Sequence, residues 1–252
     1  IDFAKTYSEK SQGAWDITTG VITDLWGIGT DNQRIPSDEE IVAAESLVNY
    51  KDILLRPEDH SVKLAKAGMS IDLGGIAKGY AVDEVRAIFA KHHIENGLIN
   101  LGASSMYALG SNAKGGPWRI GIKHPRNDDK DTYLGIVAVS NENISTSGDY
   151  ERFFEENGVR YHHIFDPKTG RPARSGVMSD SVLVDSSIEH GGMLGDMLTT
   201  ILFVLGPERG MEFAHSVNGV EAMITTTDGK IYMTDGFKSH FSDLNSDFKL
   251  MP

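Results

Sequence analysis

Four strand-like segments follow one another between residues 98 and 139 without an intervening helix. They are short apolar runs separated by turn-forming residues, at 98–101, 106–109, 118–123 and 133–139. Helical patterns lie before and after this block, so strands and helices do not alternate as they do in a doubly wound parallel sheet. The sequence therefore predicts an α+β fold with mixed, mostly antiparallel strands and flanking helices. No linker-like stretch divides it, which favours a single domain over residues 1–252.

Helical patterns recur along the rest of the chain. The clearest spans residues 77–96, where apolar side chains repeat at helical spacing from Ala77 to His92 before the stop signal Asn96-Gly97. A capping box at Ser37 predicts a helix to about Tyr50. Other helices are predicted at the start of the chain and at 192–205 and 207–217, and further strands at 160–165, 181–184 and in a hairpin of 222–226 with 230–234.

The charge of the chain limits its partners. It carries 36 acidic and 24 basic residues, a formal net charge of −12, which repels phosphate backbones and argues against nucleic-acid binding. An acidic protein that handles a nucleotide needs a metal ion or a local basic pocket. No apolar run approaches the roughly 20 residues of a membrane-spanning helix. Cysteine is absent, so disulfides and thiol chemistry are excluded.

The segment from Asp72 to Asp83 places adjacent glycines, Gly74 and Gly75, directly before a predicted helix. A backbone without Cβ atoms at a helix N-terminus can approach a phosphate closely, and Lys78 adds a cation one turn inside. The glycine spacing matches neither a dinucleotide fingerprint nor a P-loop. Taken alone, the glycine pair is better explained by a plain strand-to-helix turn.

Asp196 and Thr200 lie four residues apart in the predicted helix 192–205. Their oxygens then share one helix face, and a carboxylate with a hydroxyl can hold a hard cation such as Mg²⁺. The alternative is an acidic residue near a helix N-terminus beside a threonine that bonds its own backbone.

A pair of histidines, His162 and His163, precedes Asp166. In a strand the two rings point to opposite faces, so at most one lines a given pocket. A histidine near Asp166 is a candidate general base, because a carboxylate can set its tautomer and raise its basicity. The spacing does not favour zinc. One packed and one solvated histidine is the structural alternative.

Together and in this order, these segments resemble the ApbE family of FAD:protein FMN transferases, also called flavin-trafficking proteins. The resemblance covers nearly the whole chain. Its landmarks are Gly13-Ala14-Trp15-Asp16-Ile17-Thr18, the segment 72–83, Asn100-Leu101-Gly102, Thr146-Ser147-Gly148, the segment 163–170, and the helix with Asp196 and Thr200.

The resemblance implies an α+β fold that binds FAD, with Mg²⁺ bridging the protein and the pyrophosphate; Mn²⁺ takes the same oxygen ligands. The implied metal ligands are the Gly75 carbonyl, Asp196 and Thr200. The implied FAD contacts are Ala14, Trp15, Asp16, Asp72, Lys78 and Ile164.

The resemblance also implies the partners and the compartment. The acceptor of the FMN group is a Thr or Ser hydroxyl of another protein, typically a membrane-associated redox subunit, and such enzymes are usually exported as lipid-anchored or periplasmic proteins. Relative to the family, we expect a segment with a flavin-touching loop to belong before Ile1. The chain also departs from the family pattern at Ala103, where a second glycine is usual.

The expected reaction is attack of the acceptor hydroxyl on the FMN-side phosphorus, with AMP as the leaving group. We assign His163, steadied by Asp166, as the general base. Two alternatives remain open: an FAD pyrophosphatase that releases FMN and AMP, and an FAD-binding or storage protein without turnover.

Overall fold

Two compact units divide the described residues of the computed structural model, which are 1–127, 129 and 131–252. Unit 1 comprises Ile1–Gly74 and Glu151–Arg174, and unit 2 comprises Gly75–Tyr150 and Ser175–Pro252. The single-domain assignment from the sequence stays a prediction.

The elements are numbered in chain order. Among the described residues the helices are α1 (Asp2–Lys10), α2 (Gly20–Trp26), α3 (Asp38–Glu45), α4 (Ala77–Lys91), α5 (Gly191–Leu205), α6 (Pro207–His215) and α7 (Asp235–His240), with a 3-10 turn at Tyr50–Asp52. The strands are β1 (Ile53–Arg56), β2 (Ser61–Leu64), β3 (Gly97–Leu101), β4 (Ser105–Leu109), β5 (Trp118–Lys123), β6 (Tyr133–Val139), β7 (Glu142–Gly148), β8 (Phe153–Glu156), β9 (Val159–His162), β10 (Phe165–Asp166), β11 (Arg171–Pro172), β12 (Val177–Asp185), β13 (Val220–Thr226), β14 (Lys230–Met233), β15 (Phe241–Ser242) and β16 (Lys249–Leu250).

Unit 1 combines α1, α2 and α3 with the antiparallel pairs β1–β2, β8–β9 and β10–β11. Its core is built around Trp26, which is fully buried among Ile22, Ile41 and Phe165. The indole N–H of Trp26 donates a 2.9 Å hydrogen bond to the carbonyl of Gly170. Because that polar group is satisfied, the large ring is buried without an unpaired donor.

Unit 2 is organised around a seven-stranded sheet of order β16-β14-β13-β12-β7-β4-β3. Every pairing in it is antiparallel except β14 with β16, and a second sheet has the order β15-β6-β5. Helix α5 is buried along most of its length, between the sheet strands β7 and β12 and the helices α4 and α6. The α+β prediction with mostly antiparallel strands is confirmed.

Helix α5 lies along β7 in a fixed register. Alternate residues of the strand meet every fourth residue of the helix: Asn143 below Gly191, Ser145 below Gly195, and Ser147 below Thr199. Two strand residues advance about 6.6 Å and four helical residues about 6 Å, so the two repeats match over this length. The strand face below α5 is polar, and the helix accommodates it with glycine and threonine. This register sets the position of Asp196 along the sheet.

Most elements predicted from the sequence are confirmed: the four strands between 98 and 139, the hairpin β13–β14, the capping box at Ser37, and helices α5 and α6 within two residues at each end. The strand predicted at 160–165 is instead split into β9 and β10, and the one at 181–184 extends to all of β12.

Helix α3 ends at Glu45, earlier than predicted. Instead of continuing the helix, the backbone N–H of Tyr50 donates a 2.7 Å hydrogen bond to the carboxylate of Asp16. Helix α4 ends at Lys91 rather than Asn96, because His93 takes a left-handed backbone conformation with φ 55°.

The buried face of α4 also differs from the predicted stripe. Gly79 and Val82 are buried, whereas Ala77 and Ile88 are exposed. Helix α4 contacts α5 through Gly79. A pattern of apolar side chains does not reveal a contact made by a glycine.

Candidate active site

Asp196 lies on α5 and is only 5% exposed. Its Oδ2 accepts a 3.0 Å hydrogen bond from the backbone N–H of Gly79 in the first turn of α4. Ile76, the residue before that helix, supplies no side-chain cap. A carboxylate from another element therefore occupies the place of a capping residue, where the positive end of the helix dipole favours an anion.

The second oxygen of Asp196 also has a donor. Its Oδ1 accepts a 2.8 Å hydrogen bond from the hydroxyl of Ser105 at the start of β4. The ammonium of Lys78 lies 3.5 Å from the same oxygen, and its side chain is 40% exposed. A carboxylate has about four lone-pair positions. Two hydrogen bonds therefore leave acceptor capacity on both oxygens of a nearly buried anion.

The residues around Asp196 fit a magnesium ion. Thr200 follows Asp196 by one turn of α5, is half-buried, and its hydroxyl makes no side-chain hydrogen bond within the described residues. Gly75 belongs to the same unit and precedes α4 by two residues. Mg²⁺ takes oxygen ligands, often only one or two carboxylates, and completes its shell with water and substrate phosphates.

In the part of the chain that the structure describes, no group of three or more His, Cys, Asp or Glu side chains could hold a metal ion. Within the described residues, a metal ion at Asp196 would therefore have at most two such side chains as ligands. The predicted ligands Gly75, Asp196 and Thr200 lie in unit 2, and their role stays a prediction.

In unit 1, Asp16 has its carboxylate committed to the fold. Its Oδ1 accepts from both the backbone N–H and the hydroxyl of Thr18, at 2.8 and 2.6 Å, and its Oδ2 accepts from the N–H of Tyr50. Burial raises the pKa of Asp16, and these hydrogen bonds offset the rise only in part. Any FAD contact at this position therefore falls to atoms other than the occupied lone pairs.

Ala14 and Trp15 precede Asp16 and are both buried. The indole N–H of Trp15 has no hydrogen-bond partner within the described residues. A buried donor of this kind costs about 1–3 kcal/mol unless it is satisfied, and an acceptor on a bound molecule would remove that cost. The predicted FAD contacts at Ala14 and Trp15 stay predictions.

Asp72 shapes the turn that contains the glycine pair. Its Oδ1 accepts a 2.7 Å hydrogen bond from the N–H of Gly74, and its Oδ2 accepts from the hydroxyl of Thr23 at 2.9 Å. Its own N–H donates to the carbonyl of Ile17. Asp72 thus fixes the backbone that leads towards Gly75. Its predicted contact with FAD is not tested by these bonds.

The two histidines have different environments. His162 is buried, with Nε2 donating to the Ala173 carbonyl at 3.0 Å and Nδ1 accepting from the N–H of Ile164 at 3.3 Å. His163 is half-buried, and its Nδ1 lies 3.2 Å from the carbonyl oxygen of Arg152. A carbonyl only accepts, so Nδ1 carries the hydrogen, and in this neutral tautomer Nε2 is the basic ring nitrogen.

Asp166 stabilises the turn after His163. Its Oδ1 accepts from the N–H of Lys168 at 2.9 Å, and its carbonyl accepts from the N–H of Gly170 at 3.0 Å. The group that sets the tautomer of His163 is the Arg152 carbonyl, so the steadying role assigned to Asp166 stays a prediction. Ile164, the other residue predicted here, is buried.

Two residues around Asp196 were missed from the sequence: Ser105, and Asp83 on α4. Asp83 accepts hydrogen bonds from the N–H groups of Gly192 and Met193, at 2.8 and 2.9 Å. The sequence does contain a signal that points to such residues. Neither α4 nor α5 is preceded by Ser, Thr, Asp or Asn, since Ile76 and His190 stand at those places. A helix start without its own cap has unsatisfied N–H groups and calls for an acceptor from elsewhere.

Comparisons with known proteins identify the family to which the chain belongs. Residues 1–224 match the family model described as the ApbE family. The chain is 34% identical to the FAD:protein FMN transferase of Treponema pallidum, over 99% of this chain and 71% of that protein. It is 33% identical to the FAD:protein FMN transferase of Klebsiella pneumoniae, over 100% of this chain and 75% of that protein.

Solved structures give the same result. The ApbE protein from Thermotoga maritima matches with a TM-score of 0.85 and 35% identity, covering 96% of this chain and 76% of that one. The flavin transferase ApbE from Vibrio cholerae matches with a TM-score of 0.80 and 33% identity, covering 95% and 74%. The family model, the sequence identity and the fold agree, and the chain belongs to the ApbE family.

Proposed function

We propose that the protein transfers the FMN half of FAD to a Thr or Ser hydroxyl of an acceptor protein, releasing AMP, in a magnesium-dependent reaction. The relatives named as FAD:protein FMN transferases support the reaction. The observation that carries the metal dependence is the nearly buried carboxylate of Asp196, held at the first turn of α4 with acceptor capacity to spare.

In this reaction the attacking and leaving oxygens both develop negative charge. Bound Mg²⁺, held by Asp196, Thr200 and the carbonyl of Gly75, would neutralise charge on the diphosphate. The chain adds its own positive groups, since Lys78 is partly exposed beside Asp196 and the N-terminal turn of α4 favours an anion. Together they offset the net charge of −12, which would otherwise repel a nucleotide.

The proton of the acceptor hydroxyl needs a base. His163 is the candidate, because the Arg152 carbonyl fixes the hydrogen on Nδ1 and so selects the tautomer in which Nε2 is the basic nitrogen. His162 does not suit it, since both of its ring nitrogens are engaged in buried hydrogen bonds.

We further propose, from the family resemblance, that the acceptor is a membrane-associated redox subunit and that the protein acts outside the cytoplasm as a lipid-anchored or periplasmic enzyme. Within the described residues, no helix has the length and apolar character needed to cross a membrane. Labelling of intact cells with an impermeant reagent, followed by detection of the protein, checks the compartment.

The reaction is tested by incubating the protein with FAD, Mg²⁺ and candidate acceptors, then weighing the acceptor and separating the nucleotides. Transfer adds the mass of FMN to the acceptor and releases AMP, and replacement of the modified Thr or Ser by Ala abolishes the gain. Free FMN and AMP with no acceptor gain would mean hydrolysis instead. Unchanged FAD would mean binding only, and either result contradicts the proposal.

Asp196→Asn tests the metal dependence in the same assay. The amide can keep both local hydrogen bonds, since its oxygen can accept from Gly79 and its NH₂ can donate to the Ser105 hydroxyl. The variant loses the negative charge and, with it, the ion pair with Lys78. We expect transfer to slow by about 100-fold or more, the cost of removing one electrostatic stabiliser. Chelation of the metal should give a similar loss in the wild type.

A further inference from the structure

Helices α4 and α5 each cap the N-terminus of the other with a carboxylate. Asp196 of α5 accepts from the Gly79 N–H in the first turn of α4 at 3.0 Å. In return, Asp83 of α4 accepts from the Gly192 and Met193 N–H groups in the first turn of α5, at 2.8 and 2.9 Å. Each helix N-terminus thus receives a carboxylate from the other helix, which satisfies buried donors and complements both dipoles.

The two caps are coupled through a backbone contact. A Cβ on Gly192 would lie 2.6 Å from the carbonyl oxygen of Gly79 and 2.8 Å from Oδ1 of Asp83. A Cβ on Gly79 would lie 2.8 Å from the Cβ of Asp196 and closer still to the Gly192 carbonyl oxygen. No side chain separates the helices here, so a displacement at one cap is transmitted directly to the other.

We infer that Asp83 is a positioning residue for Asp196 and, through it, for the metal. This inference rests on the proposed function, in which Asp196 is a magnesium ligand. Asp83 fixes Gly192 and Met193, and Asp196 follows Met193 by three residues, about 4.5 Å along the helix axis. The anchor therefore lies within one turn of the ligand. Without it, the first turn of α5 loses its acceptors, and Asp196 loses its fixed distance from Lys78 and the start of α4.

A purely structural role for Asp83 predicts a different result. A cap that only stabilises the fold costs about 1 kcal/mol when it is removed, and the folded enzyme then keeps its affinity for Mg²⁺. A positioning role instead raises the Mg²⁺ concentration needed for half-maximal FAD binding, while folded protein remains. Removal of groups that orient metal ligands typically weakens metal binding about 10- to 100-fold.

Two variants separate positioning from charge. Asp83→Asn and Asp83→Ala both remove the negative charge, but the isosteric amide keeps one acceptor oxygen and alanine keeps none. Glu221→Gln is the matched control, since the Glu221 carboxylate accepts from the Phe237 N–H in the first turn of α7, in the same unit. FAD binding is followed by flavin fluorescence at increasing Mg²⁺ concentrations, at a temperature well below each variant's melting transition.

We expect half-saturation to require about tenfold more Mg²⁺ in Asp83→Ala, an intermediate amount in Asp83→Asn, and an unchanged amount in Glu221→Gln. Equal shifts in the two Asp83 variants would show a charge effect, and shifts of less than about twofold would show a structural role; both overturn the inference. If FAD binding by the wild type does not depend on Mg²⁺, the metal in the proposed function fails, and the inference fails with it.

Discussion

The hydroxyl of Ser105 on β4 donates a 2.8 Å hydrogen bond to the carboxylate of Asp196 on α5. Both residues are buried, so this bond joins the sheet to the helix at the proposed metal ligand. It also fixes the rotation of the carboxylate, because the other oxygen is held by the Gly79 N–H.

Ser105→Ala should therefore destabilise the protein by about 2 kcal/mol, the range for a hydrogen bond to a charged group. Ser181→Ala is the control, since its buried hydroxyl bonds the neutral hydroxyl of Thr146 on the same sheet, and it should cost about 1 kcal/mol. Urea unfolding measures both. Equal costs would contradict a stronger hydrogen bond from Ser105 to Asp196 than from Ser181 to Thr146.

Gly79→Ala tests the contact between α4 and α5. In an exposed helix interior this substitution stabilises by about 1 kcal/mol. At Gly79 the new methyl would overlap the Gly192 carbonyl, so we expect a loss of about 1–3 kcal/mol from overpacking. Gly116→Ala is the control, because its Cβ would meet only the Asn112 amide at 3.9 Å. A stabilised Gly79→Ala variant would contradict the close crossing.

His163→Gln tests the proposed base. Transfer to the acceptor should fall by about 100-fold or more, the usual contribution of a general base, while FAD binding stays within about twofold. His92→Gln, at an exposed position after α4, should change neither quantity. Transfer at the wild-type rate in His163→Gln would remove this residue from the mechanism.

Ala103→Gly should stabilise the protein. Ala103 has φ 58°, a left-handed conformation that costs an L-residue about 1–2 kcal/mol, whereas glycine adopts it freely. The greater freedom of glycine in the unfolded chain returns about 0.4–1 kcal/mol, so a net gain of roughly 0.5–1 kcal/mol is expected. Ala113→Gly, at an exposed turn position, is the control and should not stabilise. Thermal unfolding measures both.

Asp180 makes stability depend on pH. This carboxylate is fully buried on β12, and neither oxygen has a hydrogen-bond partner within the described residues. Burial raises its pKa well above 3.8, and the nearby backbone N–H groups of Ser147 and Phe203 offset this rise only in part. The folded protein therefore keeps the proton at pH values where the unfolded chain has released it.

The direction in which stability changes with pH follows from the protons bound by the folded and unfolded states. Below about pH 4 both states are protonated and Asp180 contributes no pH dependence. As pH rises above that value, the unfolded state binds fewer protons, so Asp180 lowers stability progressively until the folded pKa is reached. Asp180→Asn removes this contribution to the pH dependence of the free energy of unfolding. The stability of the variant relative to the wild type should therefore increase with pH from about 4 upward. A constant difference across that range would contradict a raised pKa.

The sequence predicted elements whose signals are local. The strands between 98 and 139 alternate with turn residues, and Ser37 and Glu40 form their capping box within one helical turn. Strand β7 was missed because its buried face is polar, with Asn143, Ser145 and Ser147 below α5. Apolar periodicity cannot identify such a strand.

The residues of the candidate site also separate into those that local sequence patterns predicted and those that they did not. Asp196 and Lys78, predicted from helix spacing and the glycine turn, do lie beside each other. Ser105 and Asp83 were not found, because their roles depend on which elements the fold places together. Asp16 was predicted as an FAD contact because it belongs to a motif. The motif does not reveal that three donors, two from Thr18 and one from Tyr50, bind its carboxylate oxygens.

The register of α5 on β7 has a consequence for how the two segments can vary. A side chain at 191 or 195 is possible only if the strand residue below it becomes smaller, since a Cβ there would lie 2.6 Å from the Asn143 amide or 3.0 Å from the Ser145 hydroxyl. Substitutions in the helix and the strand should therefore occur as compensating pairs across homologues, 191 with 143 and 195 with 145. The helix that carries the proposed metal ligand is therefore constrained by a strand that supplies none of the proposed ligands.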